Sequence, residues 1–220
     1  MVKLIKCHIF YLFTKTNLKI FTITILFILI YLIFNVYSLN NSYINQKSLE
    51  FYYSSFQIIK IIMLFNFIFI FGYSFLRYND NYRIIIINKN NNRIKYFMSK
   101  IIAISIILLS IYIIIFTLYL MITLFTFYNI EKIMLISFID LLICCLYYGF
   151  ISILLILIFD NLYMIFLIYI ISLFNINNSI LLFVLPIVKD NLILFSRLYY
   201  LILIFFIVII NIIIFHNKDL

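Results

Sequence analysis

Apolar runs long enough to cross a bilayer recur along the chain, separated by short polar breaks. A helix needs about 20 apolar residues to span the hydrocarbon core. Stretches 18–37, 56–76 and 101–127 reach that length and are flanked by polar or charged residues, and 133–159 and 198–215 do so nearer the C-terminus. A sixth stretch, 162–183, is interrupted by Asn175, Asn177, Asn178 and Ser179, and the apolar sequence that resumes after them contains Pro186. Irregular backbone at membrane depth must be shielded from lipid by protein. This stretch therefore predicts a helix followed by a re-entrant or interfacial segment.

Strands also cross membranes, but their sequences alternate apolar and polar residues, whereas 101–109 is apolar almost throughout. The spans are therefore helices. Ahead of them, residues 1–17 set Val2, Ile5, Ile9, Leu12 and Phe13 at helical spacing, with Lys3, Lys6 and Lys15 on another face. That pattern suits a helix lying on the membrane surface. A cleaved signal peptide is the competing reading, but the first run ends in Asn35, Tyr37, Leu39 and Asn40, with no small-residue cleavage site. The expected fold is an all-α membrane protein of one domain, 1–220. It has an N-terminal interfacial helix plus six transmembrane helices, with a re-entrant or interfacial segment between the fifth and sixth.

Composition supports lipid as the main solvent: 68% of the 220 residues are hydrophobic and only 10% charged, too few to cover a soluble surface. An AT-rich genome would produce the same wealth of Phe, Tyr, Ile and Asn, so no function is read from it, and Tyr near span ends suit interfacial anchors. A net charge of +9 in such a chain is a statement about topology rather than about nucleic acid. Lys3, Lys6, Lys15, Lys19, Arg77, Arg83, Lys89, Arg93, Lys95, Lys100 and Lys218 fall on one side of a six-span layout. Lys47, Lys132, Lys189 and Arg197 fall on the other, and Lys60 lies inside a span. The positive-inside rule then places both termini in the cytoplasm of a bacterial cell, with the chain a multi-pass protein of its membrane.

Loop 77–100 is consequently the longest inward loop. Its run Ile84, Ile85, Ile86 and Ile87 is too short to cross a bilayer but suits a short amphipathic helix pressed on the membrane or on a partner protein. A solvated basic loop that merely sets topology is the other reading.

Catalytic constellations are missing from the sequence. There are no paired carboxylates, and His8 and His216 stand in the N-terminal segment and at the C-terminal end. The two glycines, Gly72 and Gly149, both lie in spans, so no phosphate-cradling loop exists on this chain. Cys7, Cys144 and Cys145 form no CxxC pair and read as small packing residues. No metal site and no cofactor are expected here; if ATP drives the protein, another chain binds it. Two ionisable groups fall inside spans, Lys60 and Asp140, and form a candidate intramembrane ion pair. Counting ~1.5 Å per residue from Leu76 sets Lys60 about 24 Å from the inner edge, in the outer leaflet with Asp140. Alternatively, Lys60 snorkels outward and an overlong fourth helix lifts Asp140 to the interface.

The order of these features resembles the permease subunits of type-2 ATP-binding-cassette transporters, exporter type, over the whole chain. In that family a basic residue, an aromatic and then a lysine open the third span; here the segment reads Asn92, Arg93, Ile94, Lys95, Tyr96, Phe97, Met98, Ser99, Lys100. The tail Phe215, His216, Asn217, Lys218, Asp219, Leu220 also carries the resemblance. It implies that Asp80, Tyr82, Arg83, Ile84, Ile85, Ile86, Ile87, Asn88 and Lys89 belong to a coupling helix that docks on a separate cytoplasmic ATPase, which binds ATP and Mg. It further implies a second permease copy or a paralogous permease as partner. The implied cargo is amphipathic or hydrophobic, with antimicrobial or toxin-like peptides the leading class. Where the family often has Glu at the start of the coupling segment, this chain has Arg77, Tyr78, Asn79 and Asp80. A non-transporting membrane immunity or sensor protein is the alternative function.

Overall fold

The computed structural model of the chain describes residues 1–12, 15–39, 44–76, 93–128, 130, 132–173 and 194–217. Every regular element among them is an α-helix: α1 (Val2–Leu12), α2 (Lys15–Ser38), α3 (Ile44–Ser74), α4 (Arg93–Phe127), α5 (Lys132–Phe159), α6 (Tyr163–Leu173) and α7 (Leu194–Asn217). Among the described residues, four segments are long and apolar enough to cross a membrane: Ser48–Ser74, Arg93–Phe127, Lys132–Phe159 and Arg197–Asn217. Two shorter apolar helices, Thr22–Ser38 within α2 and Tyr163–Leu173, accompany them. By length and composition these suit a multi-pass membrane protein. The coupling segment from Asp80 to Lys89, the Asn cluster at 175–178, Pro186 and the last three residues lie outside the described residues.

Hydrogen bonds and ring contacts fix the course of the helices. Tyr31 and Asn35, late in α2, bond the Ser54 carbonyl and hydroxyl early in α3 at 3.3 and 2.7 Å. Phe75, just past α3, packs on Phe97 near the start of α4 at 5.2 Å between ring centroids. Phe51 meets Phe127 at the close of α4, and Tyr52 bonds Ser137 early in α5. Phe215, late in α7, returns to Phe97 at 4.7 Å. The bundle thus has one end carrying α1, the close of α3, the start of α4 and the close of α7, called the termini end below. Its far end carries the starts of α3 and α5 together with Arg197.

α4 begins at Arg93, so residues 93–100, assigned to the loop 77–100 from sequence, form its first two turns. At 31 and 35 residues, α3 and α4 are about 46 and 52 Å long, more than a ~30 Å core requires, so they tilt or project beyond it. α5 is central, with its Phe138 ring against Phe56, Phe116 and Tyr119 from α3 and α4. Gly149 of α5 gives Phe71 of α3 its place: an added Cβ would lie 2.5 Å from the ring. Serine and threonine hydroxyls within these helices, such as Ser74, Thr123 and Ser152, bond carbonyls of the preceding turn, satisfying themselves without water.

Two helices stop in the left-handed conformation, at Tyr128 (φ 55°) after α4 and at Asp160 (φ 49°) after α5. In each, the backbone N–H reaches back to the carbonyl four residues earlier, at 3.1 Å for Tyr128 and 2.9 Å for Asp160. Asn161 then accepts the Tyr163 N–H at 3.0 Å and caps α6. The α5–α6 turn is therefore tight, and α6 folds back along α3 and α5. Large apolar side chains cover the outside, among them Ile23, Phe27 and Phe34 on α2 and Leu201, Phe205 and Ile213 on α7. A water-facing surface this apolar would associate, whereas lipid accepts it.

Candidate functional site

One turn of α5 gathers polar contacts from three other helices. Within 137–140, Ser137 accepts a hydrogen bond from Tyr52 of α3 at 2.5 Å and donates to the Ile133 carbonyl at 2.8 Å. The Phe138 carbonyl accepts from the Tyr112 hydroxyl of α4. Asp140 accepts from Arg197 of α7 through both oxygens, Nε to Oδ1 at 2.5 Å and Nη2 to Oδ2 at 3.2 Å. This two-pronged fit is the geometry in which a guanidinium holds a carboxylate most specifically. Asp140 is fully buried, and the Arg197 side chain keeps 19% of its surface exposed.

Helical spacing explains why α7 docks here. Tyr200, Ile204, Asn211 and Phe215 are its buried positions and fall on one face with Arg197. Tyr200 meets Tyr147 of α5 at 6.0 Å, edge to face. Further along, the Asn211 amide nitrogen donates to the Phe150 carbonyl at 3.1 Å, while its oxygen has no hydrogen-bond partner. The Asn66 amide nitrogen of α3 is likewise buried and unbonded.

A second cluster sits at the termini end. His8 of α1 lies edge-on to Tyr96 at 5.0 Å, Tyr96 stacks on Phe215 at 6.3 Å, and Phe75 packs on Phe97. Lys100 is 6% exposed, and its ammonium stands 4.9 Å from the Phe75 ring centre and 5.6 Å from that of Tyr96. Cation–π attraction offsets part of the cost of burying that charge. Arg93 donates to the His216 carbonyl at 3.1 Å. The N-terminal helix, the close of α3, the start of α4 and the C-terminal turn of α7 therefore share one aromatic and basic node.

Of the residues singled out from sequence, Asp140 is in the first cluster, where Arg197, a residue the sequence reading left as a topology charge, binds it. Lys60 is half-buried on α3. Arg197 escapes a sequence reading because a cation at the edge of an apolar run is read as a topology charge; the signal available is its register with Tyr200, Ile204, Asn211 and Phe215. Cys144 and Cys145 are buried in α5 and Cys7 is exposed on α1. Among the described residues no group of three or more His, Cys, Asp or Glu could hold a metal ion. Ser137 and Asp140 are both engaged by neighbouring side chains, so the cluster joins helices. No family model matches the chain, and neither a curated protein nor a solved structure matches it.

Proposed function

We propose that this chain is the permease subunit of an ATP-driven exporter of the type-2 ATP-binding-cassette class. The observation that carries the reading is the node at the termini end. Leu76 and Arg93, the described residues on either side of 77–92, stand at the end of the bundle where Phe75 and Phe97 touch. Beside that point stand α1, through His8, and the close of α7, through Phe215. A partner pressing on 77–92 would act directly on α3 and α4, and through the shared rings on α1 and α7. The basic residues gathered at 77–100 support a cytoplasmic placing of this end, in a bacterial cell membrane.

In this reading Asp80, Tyr82, Arg83, Ile84 to Ile87, Asn88 and Lys89 dock on a separate ATPase that holds ATP and Mg. A second permease copy or a paralogue completes the passage, since among the described residues the centre of the bundle is filled by Phe138 and its neighbours. The exposed apolar faces favour amphipathic or hydrophobic cargo, with antimicrobial or toxin-like peptides as the leading class. The test is association. Purified alone the chain hydrolyses no ATP; co-expressed with an ATPase encoded beside it, it co-purifies as a complex with stimulated hydrolysis. Deleting residues 82–90 abolishes that complex while the chain still reaches the membrane. A complex that survives the deletion refutes the coupling assignment, and a chain that binds a peptide with no ATPase partner is an immunity or sensor protein.

A further inference from the structure

α7 is held differently along its two halves. Its outer face is apolar, with Leu201, Ile202, Phe205, Phe206 and Ile213 exposed. In a bilayer such a face gains nothing by leaving lipid for another helix, so close packing and polar contacts decide where the helix docks. Towards the termini end α7 has two independent holds. Asn211 bonds the Phe150 carbonyl at 3.1 Å, and Phe215 is buried against Tyr96 and Phe97. Towards the far end the described holds include the guanidinium fork of Arg197 on Asp140 and Tyr200 against Tyr147.

We propose that the Asp140–Arg197 pair is a latch that closes the far half of α7 onto α5, about a pivot set by Asn211 and Phe215. Releasing the pair swings the first turns of the α7 span outward and opens the α5–α7 seam to the lipid. The two partners are unequally placed for this. Asp140 is fully buried at the end of the polar turn of α5, whereas Arg197 is part-exposed at the first residue of its span. Its aliphatic stem lets the guanidinium reach an interface when the helix moves away. Behind the latch, Cys144 lies one turn from Asp140 and three residues from Tyr147 and is buried. The inference does not rest on the export reading, since it concerns how one helix is docked.

Distances between spin labels test it in the full chain reconstituted in vesicles, with Cys7, Cys144 and Cys145 changed to Ala. One label pair, on Ile139 and Leu198, reports the far half of the seam; the other, on Ile158 and Ile213, reports the termini half, and all four positions are exposed. In Asp140→Asn the far pair separates by roughly 5 Å, the scale of one helical turn, and its distribution broadens, while the termini pair keeps its original distance. Arg197→Lys retains the charge but loses the fork. It gives a smaller separation of the far pair alone, and it decides the question if Asp140→Asn is not recovered from membranes. An unchanged far pair in Arg197→Lys and in any recovered Asp140→Asn overturns the latch. Equal separation of both pairs also overturns it, because the ion pair then supports the whole bundle rather than one half of one helix.

Discussion

At the scale of residues, the turn of α5 from 137 to 140 concentrates the polar chemistry of the bundle, and its ion pair is asymmetric. Removing one partner of a buried pair leaves the other uncompensated, at a cost of about 3–5 kcal/mol. Asp140 has no exposed surface to rehydrate, while Arg197 retains some. Arg197→Ala is therefore expected to destabilise more than Asp140→Ala, and replacing both, by Ala and Leu, to cost less than Arg197→Ala alone. Unfolding titrations of the purified chain in mixed micelles check the order; equal losses for the two single variants would show that Asp140 regains water. Asp140 is legible in the sequence because an acid inside an apolar run is too costly to be idle. Its partner is not, because the sequence places charges along the chain but not across the bundle. Lys60 falls at a similar depth by counting residues, and depth alone does not show that α7 brings Arg197 to Asp140. Lys100 teaches the same lesson at the other end: in sequence it is one more inward-facing cation, and in the fold it is buried over Phe75 and Tyr96.

At the scale of elements, helix identity is legible because uninterrupted apolar runs leave no alternative in lipid, but helix limits are set by chemistry that hydropathy does not see. Arg93, Lys95 and Lys100 end an apolar run without ending a helix, since cations change what surrounds a helix and not its backbone bonds; α4 therefore starts two turns ahead of residue 101. The close approach of α5 to α3 is similarly hidden until Gly149 is seen against Phe71. An added methyl there meets a fully buried ring at 2.5 Å, and at Gly72 it meets Cγ1 and Cδ1 of Ile165 at 2.8 and 2.9 Å. Overpacking of this kind costs about 1–3 kcal/mol. Gly149→Ala should fall at the upper end of that range and Gly72→Ala at or below the lower, as read by thermal unfolding in detergent. A larger loss at Gly72 would mean that Ile165 is the more rigid neighbour. The stop of α4 gives an effect of opposite sign. Tyr128 holds φ 55° while largely exposed, a conformation that costs a non-glycine residue about 1–2 kcal/mol. Tyr128→Gly is expected to raise the melting temperature, unless its ring anchors the helix at the membrane interface, in which case the temperature falls.

At the scale of the whole molecule, the placing of both ends of the chain on one end of the bundle follows from shared contacts: His8 and Phe215 meet the same Tyr96. That end holds α1, on which Lys3, Lys6 and Cys7 are exposed while His8 turns inward. The other two thiols are buried in α5. The native chain therefore carries one accessible thiol, on the basic face of its N-terminal helix, and this makes its sidedness measurable without substitution. If the basic residues face the cytoplasm, as the positive-inside rule requires, a membrane-impermeant maleimide leaves intact cells' copies unlabelled and modifies inverted vesicles at Cys7. Permeabilised cells then label to the same extent, and Cys7→Ala labels in neither preparation. Labelling of intact cells at Cys7 would reverse the topology, carry 77–92 to the outside, and remove the ground for a cytoplasmic ATPase partner while leaving the helical bundle and its Asp140–Arg197 contact untouched.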